Sequence, residues 1–207
     1  MFPPTPGEGQ EMNVAQETWH TQVNEERVKQ ALFHQAVQKA PEIDKLNFQA
    51  LQLLWEWDSP QIVALARQCF WLSIHLQAWK TARGILLQKP DKPNYTLVKA
   101  YQVISLLNCL GKVVEKIAAE AISHHCEATK SLHPGQMGSR KQQSAIDAVA
   151  CLIQRTHDSW KQQQLMGALF MDVKGAFDHV KDRLVSRMGE LGLDGDLVCW
   201  TQSFLTD

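Results

Sequence analysis

The sequence predicts an α+β chain, and three observations carry that prediction. Long stretches place apolar residues at helical spacing, most clearly in "LGKVVEKIAAEAISHHC". Two short apolar runs, in "RGILLQKPDKPNY" and "AYQVISLLN", lie on either side of a Pro- and Lys-bearing turn, as two strands flank a loop. A third run, "LMGALFMDV", reads as a buried strand ending at Asp172, and Asp178 follows six residues later. With 207 residues and 44% hydrophobic content, the chain is long enough for one ordinary domain, or a compact lobe with a helical extension.

Taken in order, residues 1–18 are rich in Pro, Gly, Glu and Gln and have little to bury, which predicts a disordered tail. A helical region is expected over residues 19–83. In "TQVNEERVKQALFHQAVQKA", Val23, Val28, Ala31, Leu32 and Ala36 leave an apolar stripe that Pro41 ends. A second helix covers residues 48–57. "DSP" then puts Ser59 or a neighbour at an N-cap and Pro60 at the first position of a third helix, running to about Ala78.

After the two strand-like runs, Leu110, Val113, Val114, Ile117, Ala118, Ala121 and Ile122 share one helical face. "HPGQMGSRKQQ" is a loop by its Pro and glycines. Beyond it Ile146, Val149, Ala150, Ile153, His157 and Trp160 mark another helical face. Leu184, Met188 and Leu191 follow the Asp172 strand as a further helix. "GLDG" at residues 192–195 ends it, and a last amphipathic segment runs toward Asp207.

The charges nearly cancel, 21 Lys plus Arg against 22 Asp plus Glu for a net −1, so no global basic field advertises nucleic acid and any basic groove must be local. The five cysteines are odd in number, at least 17 residues apart and without a C-x-x-C pair, which reads as reduced thiols. The N-terminus has neither a basic flank nor an apolar targeting core, and no apolar run reaches the length of about 18 residues needed to span a membrane. The expected setting is intracellular, nucleus or cytoplasm, without a membrane.

A strand ending in a carboxylate beside a turn of small residues suits metal-dependent phosphoryl transfer. The strand fixes the ligand and the turn's N–H groups face a phosphate. The same spacing also suits an Asp that merely caps the next helix. What separates these readings is the company the stretch keeps. "ARGILLQKPDKPNY", "KAYQVISLLNCLGKVVEKI", "LHPGQMGSRKQQSAIDAV" and "ALFMDVKGAFDHV", in that order and at those distances, resemble the reverse transcriptase of non-LTR (LINE-type) retrotransposons, in a form familiar from fungal elements. The resemblance covers residues 20–207. It implies a partial reverse transcriptase domain over residues 84–207, made of fingers and the start of a right-hand polymerase palm.

By that resemblance Asp172 is the catalytic ligand of Mg²⁺, and the Val173 carbonyl completes one metal's shell. Gly175 and Ala176 offer N–H groups to the triphosphate. Phe177 lies against the sugar and excludes a 2′-hydroxyl, and Asp178 is supportive. Lys89 is a candidate nucleotide-phosphate contact, with Lys92, Arg140 and Lys141 as nucleic-acid contacts. The implied partners are an RNA template, a DNA primer and a dNTP.

Three departures from the family pattern argue against activity of this chain alone. "AYQVI" puts Gln102 and Val103 where the family has Arg-Pro, and a neutral amide cannot replace the guanidinium charge. "KAPEIDK" replaces two family glycines with Glu42 and Lys45, so the turn is expected to take another shape. No Asp-Asp pair occurs in the 207 residues, so the family's Y-x-D-D motif is missing and the chain reads as truncated after palm motif A, without a thumb. Two metals about 3.5–4 Å apart need shared ligands that one strand does not supply.

Other classes weigh less. A relic binding nucleic acid or protein, with self-association through an unpaired palm strand, is the main alternative. A different Mg²⁺ enzyme using Asp172 with Asp178 lacks a further carboxylate cluster. A zinc site from His124, His125, Cys126 and His133 fits no standard spacing. Among the seven tryptophans, Trp55, Trp57, Trp71 and Trp79 have helical contexts that favour core packing over base stacking.

Overall fold

The computed structural model describes residues 22–37, 44–173 and 181–206, and of Asp182 only the backbone. Over these residues it is a mixed structure of helices and one two-stranded antiparallel sheet, as the α+β reading implies. The predicted tail and the stop at Pro41 lie outside the described residues.

Helix α1 (Glu25–Phe33) opens at Asn24, whose side chain accepts from the Arg27 N–H at 3.0 Å, with Glu25 and Glu26 in the first turn where the helix dipole favours acids. Val28, Ala31 and Leu32 are buried as their spacing predicts, whereas Ala36 lies past the end of the helix and is exposed. The two helices expected next are present and run on from one another as α2 (Phe48–Trp71), with the break between them at Asp58 (φ −151°, ψ 59°). Asp58, the neighbour of Ser59, caps the second half by accepting from the Gln61 N–H at 3.4 Å. Pro60 falls in the first turn after the break, where its missing N–H has no intrahelical partner to lose.

The same helix stops at Trp71, well short of Ala78. Ser73 takes φ 53°, and Ile74 N–H donates to Cys69 O at 2.8 Å while Ser73 N–H donates to Phe70 O at 3.0 Å. That reversal satisfies the terminal carbonyls, and nothing in the apolar pattern announces it. A short helix, α3 (Gln77–Lys80), follows and buries Trp79.

Strands β1 (Arg83–Gln88) and β2 (Tyr101–Leu106) pair antiparallel with Ile85 opposite Ile104 and Leu87 opposite Gln102, so the predicted hairpin is present. Helix α4 (Cys109–Ala128) buries Val113, Val114, Ile117 and Ala118, four of the seven positions assigned to its apolar face. Helix α5 (Ala145–Lys161) starts with a reciprocal cap. Ser144 accepts from the Asp147 N–H, and the Asp147 carboxylate accepts from the Ser144 N–H. Helix α6 (Lys181–Glu190) ends where Gly192 takes φ 73° and Leu193 N–H reaches Met188 O, as "GLDG" predicts. Helix α7 (Gly195–Leu205) is capped by Asp194.

The core joins α1, α2, α4 and α7, with Trp79, Met188 and Leu193 at its margin. Phe48, Phe70, Leu32, Val113 and Val114 are fully buried, and Phe70 meets the Trp200 ring at 5.2 Å. Polar ties close the seams. Arg67 donates to Val23 O at 3.0 and 3.2 Å, and Lys80 Nζ donates to Thr206 O at 2.5 Å. Trp55, Trp79 and Trp200 pack inside as their helical contexts imply, but Trp57, Trp71 and Trp160 are exposed.

Two further expectations are corrected. Residues 164–173 are not a buried strand. They adopt no regular structure, and Leu165, Leu169, Phe170 and Met171 are all more than four-fifths exposed. A strand needs a ladder for its N–H and C=O groups, and the sheet of the described residues contains β1 and β2 only. The turn before α2 does not abandon the glycine conformation either. Lys45 stands at φ 61°, a left-handed geometry that costs a side-chain-bearing residue roughly 1–2 kcal/mol. Asp44 holds it there, accepting from the Leu46 N–H at 3.0 Å and from the Asn108 side-chain amide. Glu42 lies outside the described residues.

Candidate nucleotide and template site

The hairpin presents the candidate nucleotide contacts. Lys89 N–H donates to Ala100 O at 2.9 Å, extending the ladder one residue past β1. Side chains alternate across a pleated sheet, so Lys89 falls on the same face as Ile85 and Leu87, and that face carries Gln102 directly across from Leu87. The two nucleotide-binding candidates from separate motifs are thus diagonal neighbours on one surface. Lys92 is exposed on the turn beyond.

Tyr95 organises this turn. Its hydroxyl donates to Lys89 O at 3.0 Å and accepts from the Lys92 N–H at 3.4 Å, and its ring meets Tyr101 edge-on at 6.3 Å. Tyr95 is not among the candidate contacts, and its only signal in the sequence is an aromatic that closes a Pro-rich turn.

The loop after α4 carries Arg140 and Lys141, which behave differently. Arg140 is engaged: its Nε donates to Glu127 Oε1 at 2.7 Å, one terminal nitrogen donates to Glu127 Oε2 at 2.6 Å, and the other donates to the carbonyls of Gln136 (3.3 Å) and His133 (3.4 Å). The hydrogen bonds from Arg140 hold the Glu127 carboxyl below its ordinary range, and those to Glu127 push the guanidinium further up. Lys141 is exposed. Glu127 was invisible to motif reading, because thirteen residues and a loop separate it from Arg140.

Asp172 and Val173 are exposed at the end of the irregular run. Gly175, Ala176, Phe177 and Asp178 lie outside the described residues. Among the described residues no three His, Cys, Asp or Glu side chains gather where a metal ion would sit. One exposed carboxylate with a neighbouring carbonyl is too small a donor set for a two-metal centre. The residues of the alternative zinc site have other neighbours: His125 Nε2 lies 2.8 Å from Leu191 O, Cys126 is buried, and His133 Nδ1 accepts from the Gly135 N–H.

A family model described as reverse transcriptase (RNA-dependent DNA polymerase) matches residues 87–205, from the hairpin through α7. The chain belongs to the reverse transcriptase family. Relatives of this reverse transcriptase segment include the probable RNA-directed DNA polymerase from transposon BS of Drosophila melanogaster, 25% identical over 80% of this chain and 18% of that protein. The RNA-directed DNA polymerase from mobile element jockey of Drosophila funebris is 27% identical over 75% of this chain and 17% of its own length. A retrovirus-related Pol polyprotein from a type-1 retrotransposable element of Bradysia coprophila is 28% identical over 70% of this chain and 14% of itself. These agree with the resemblance read from the four motifs. The chain spans less than a fifth of the length of these relatives. Among the described residues no helix is long and apolar enough to cross a membrane.

Proposed function

We propose that this chain is the nucleotide- and template-facing part of an RNA-dependent DNA polymerase of a mobile element, with fingers beginning near residue 84 and the opening of a palm. The observation that carries the reading is the hairpin at the start of the matched residues, where Lys89 and Gln102 share a face. In this reading Lys89 and Lys92 meet the triphosphate of a dNTP, Gln102 occupies the place of a phosphate-binding Arg, and Lys141 meets an RNA template paired to a DNA primer. Gly175 and Ala176 present N–H groups, Phe177 faces the sugar, and Asp172 with the Val173 carbonyl contributes to a Mg²⁺ site whose other acids these 207 residues do not supply.

The 207-residue chain by itself therefore does not polymerise. Primer extension on RNA or DNA with Mg²⁺ or Mn²⁺ tests this, and incorporation that vanishes in Asp172→Asn overturns it. Joining residues 84–207 to the palm and thumb of an intact relative supplies the missing acids. In that chimera Gln102→Arg improves nucleotide use by about 1.5–3 kcal/mol, the worth of a charged hydrogen bond, and Phe177→Val raises ribonucleotide incorporation.

A second reading is association with another copy through the apolar run at residues 165–173. The exposure of Phe170 and Met171 on a segment without regular structure favours it.

A further inference from the structure

The strongest unassigned feature is the loop of residues 129–140, which folds back on the end of α4. Ser131 N–H donates to Cys126 O at 3.0 Å, and Gln136 N–H donates to His133 O at 2.9 Å. Four Arg140 hydrogen bonds then draw the loop closed. Two form a fork on the Glu127 carboxylate, and the others take carbonyls on the loop itself. The Arg140 side chain is only 13% exposed, against 33% for Glu127.

A guanidinium offers five N–H donors in a fixed plane, and four of the contacts they can make are already taken inside the protein. A phosphate contact at Arg140 would have to displace Glu127. A carboxylate beside the guanidinium would also repel the incoming phosphate. The next residue, Lys141, is exposed, and Gln142 takes φ 60° before the α5 cap, so the chain turns sharply just after the clasp.

We propose that Arg140 is a positioning residue and Glu127 its partner, together clasping the loop of residues 129–140 to α4 so that Lys141 is presented to a nucleic-acid phosphate while Arg140 meets none. The Lys141 half rests on the polymerase reading above, whereas the clasp does not. Charge counting alone assigns both cations to the template. The geometry divides the work between them.

The test uses the full chain in two measurements: hydrogen exchange of residues 131–136 without nucleic acid, and the salt dependence of binding to a single-stranded oligouridine RNA. Glu127→Gln and Arg140→Gln break the same pair. Each should speed exchange by about tenfold, with the double variant no faster than either alone. Both should weaken RNA binding by a similar factor without changing the salt slope. Lys141→Ala should leave exchange alone and reduce the slope by about 0.7, one phosphate contact on a single strand.

The proposal is overturned if Glu127→Gln leaves exchange unchanged. It is also overturned if that variant binds RNA more tightly with a slope steeper by one contact, since the carboxylate would then have been masking a phosphate-binding Arg140. No RNA binding by the unaltered chain overturns the role of Lys141 and the polymerase reading together, and exchange still decides the clasp.

Discussion

His75 shows how a single polar ring is accommodated in this core. It is 2% exposed, edge-on to Trp79, Trp200 and Phe204 at 5.1–5.6 Å, and neither ring nitrogen has a hydrogen-bond partner among the described residues. Its backbone N–H donates to Ser203 Oγ, tying the α2–α3 turn to α7. Glu115 Oε1 approaches Nε2 to 3.7 Å, a contact that is an ion pair only when His75 is protonated. Burial, helped by Lys80, pushes the His75 pKa down to about 4, and burial pushes that of Glu115 up against the opposing charge of Lys112, so each favours its neutral form. The signs are opposite. Unfolded His75 binds a proton below about 6.5 and the folded ring only below about 4, so this group makes stability rise with pH across that window. Its weight is roughly 2–4 kcal/mol. The raised Glu115 makes stability fall with pH above the ordinary carboxylate range, partly masking the rise. His75→Phe should therefore raise stability at pH 5 and flatten the slope between pH 4 and 6.5, as read from urea unfolding midpoints. An unchanged slope would refute the assignment.

At the scale of elements, α4 approaches α3 so closely that a side chain at Gly111 would require Trp79 to shift by a few tenths of an ångström. An added Cβ would stand 3.0 Å from Trp79 Cβ and 3.1 Å from Cγ, the rigid root of that side chain. Gly111→Ala should cost about 1–3 kcal/mol by overpacking. Gly189 in α6 faces open space, so Gly189→Ala should stabilise by about 0.5–1 kcal/mol through helix propensity. Denaturant midpoints of the two variants moving in the same direction would show that the close approach at Trp79 is not the deciding contact. Element α5 teaches the reverse. Its face of Ile146, Val149, Ile153 and Trp160 has the spacing of a buried stripe, but none of its residues is buried and these four are 51–80% exposed.

For the molecule as a whole, among the described residues, the hairpin, α5 and residues 165–173 expose large apolar side chains, as do Leu53, Leu54, Trp57 and Trp71 on the outer side of α2, while α1, α2, α4 and α7 supply the core. If the exposed run pairs with another copy, sedimentation should show concentration-dependent association that Phe170→Lys weakens. Ile153→Asp should change unfolding stability by less than about 0.5 kcal/mol, the surface value. A monomer at all concentrations would rule out the association. A large stability loss from Ile153→Asp would mean that α5 is covered within the monomer.

The family, most of the helices and the helix stop at Gly192 were legible in the sequence, because local spacing and backbone freedom act within a few residues, whereas the caps at Asn24 and Ser144 became visible only in the structure. The hairpin that carries Lys89 and Gln102 was legible as well. Burial was legible only where a partner element exists. Val113 and Ile153 obey the same helical periodicity, yet one faces α1 and α2 and the other faces solvent. The strand at "LMGALFMDV" failed for the same reason, since strand propensity names a segment that can join a ladder but does not provide one. The pairing of Arg140 with Glu127 and the aromatic surround of His75 were likewise decided in three dimensions. Residues 13 or more than 100 positions apart leave no local periodicity when they meet, so only the packed chain reveals which cation is spent on structure and which remains free for chemistry.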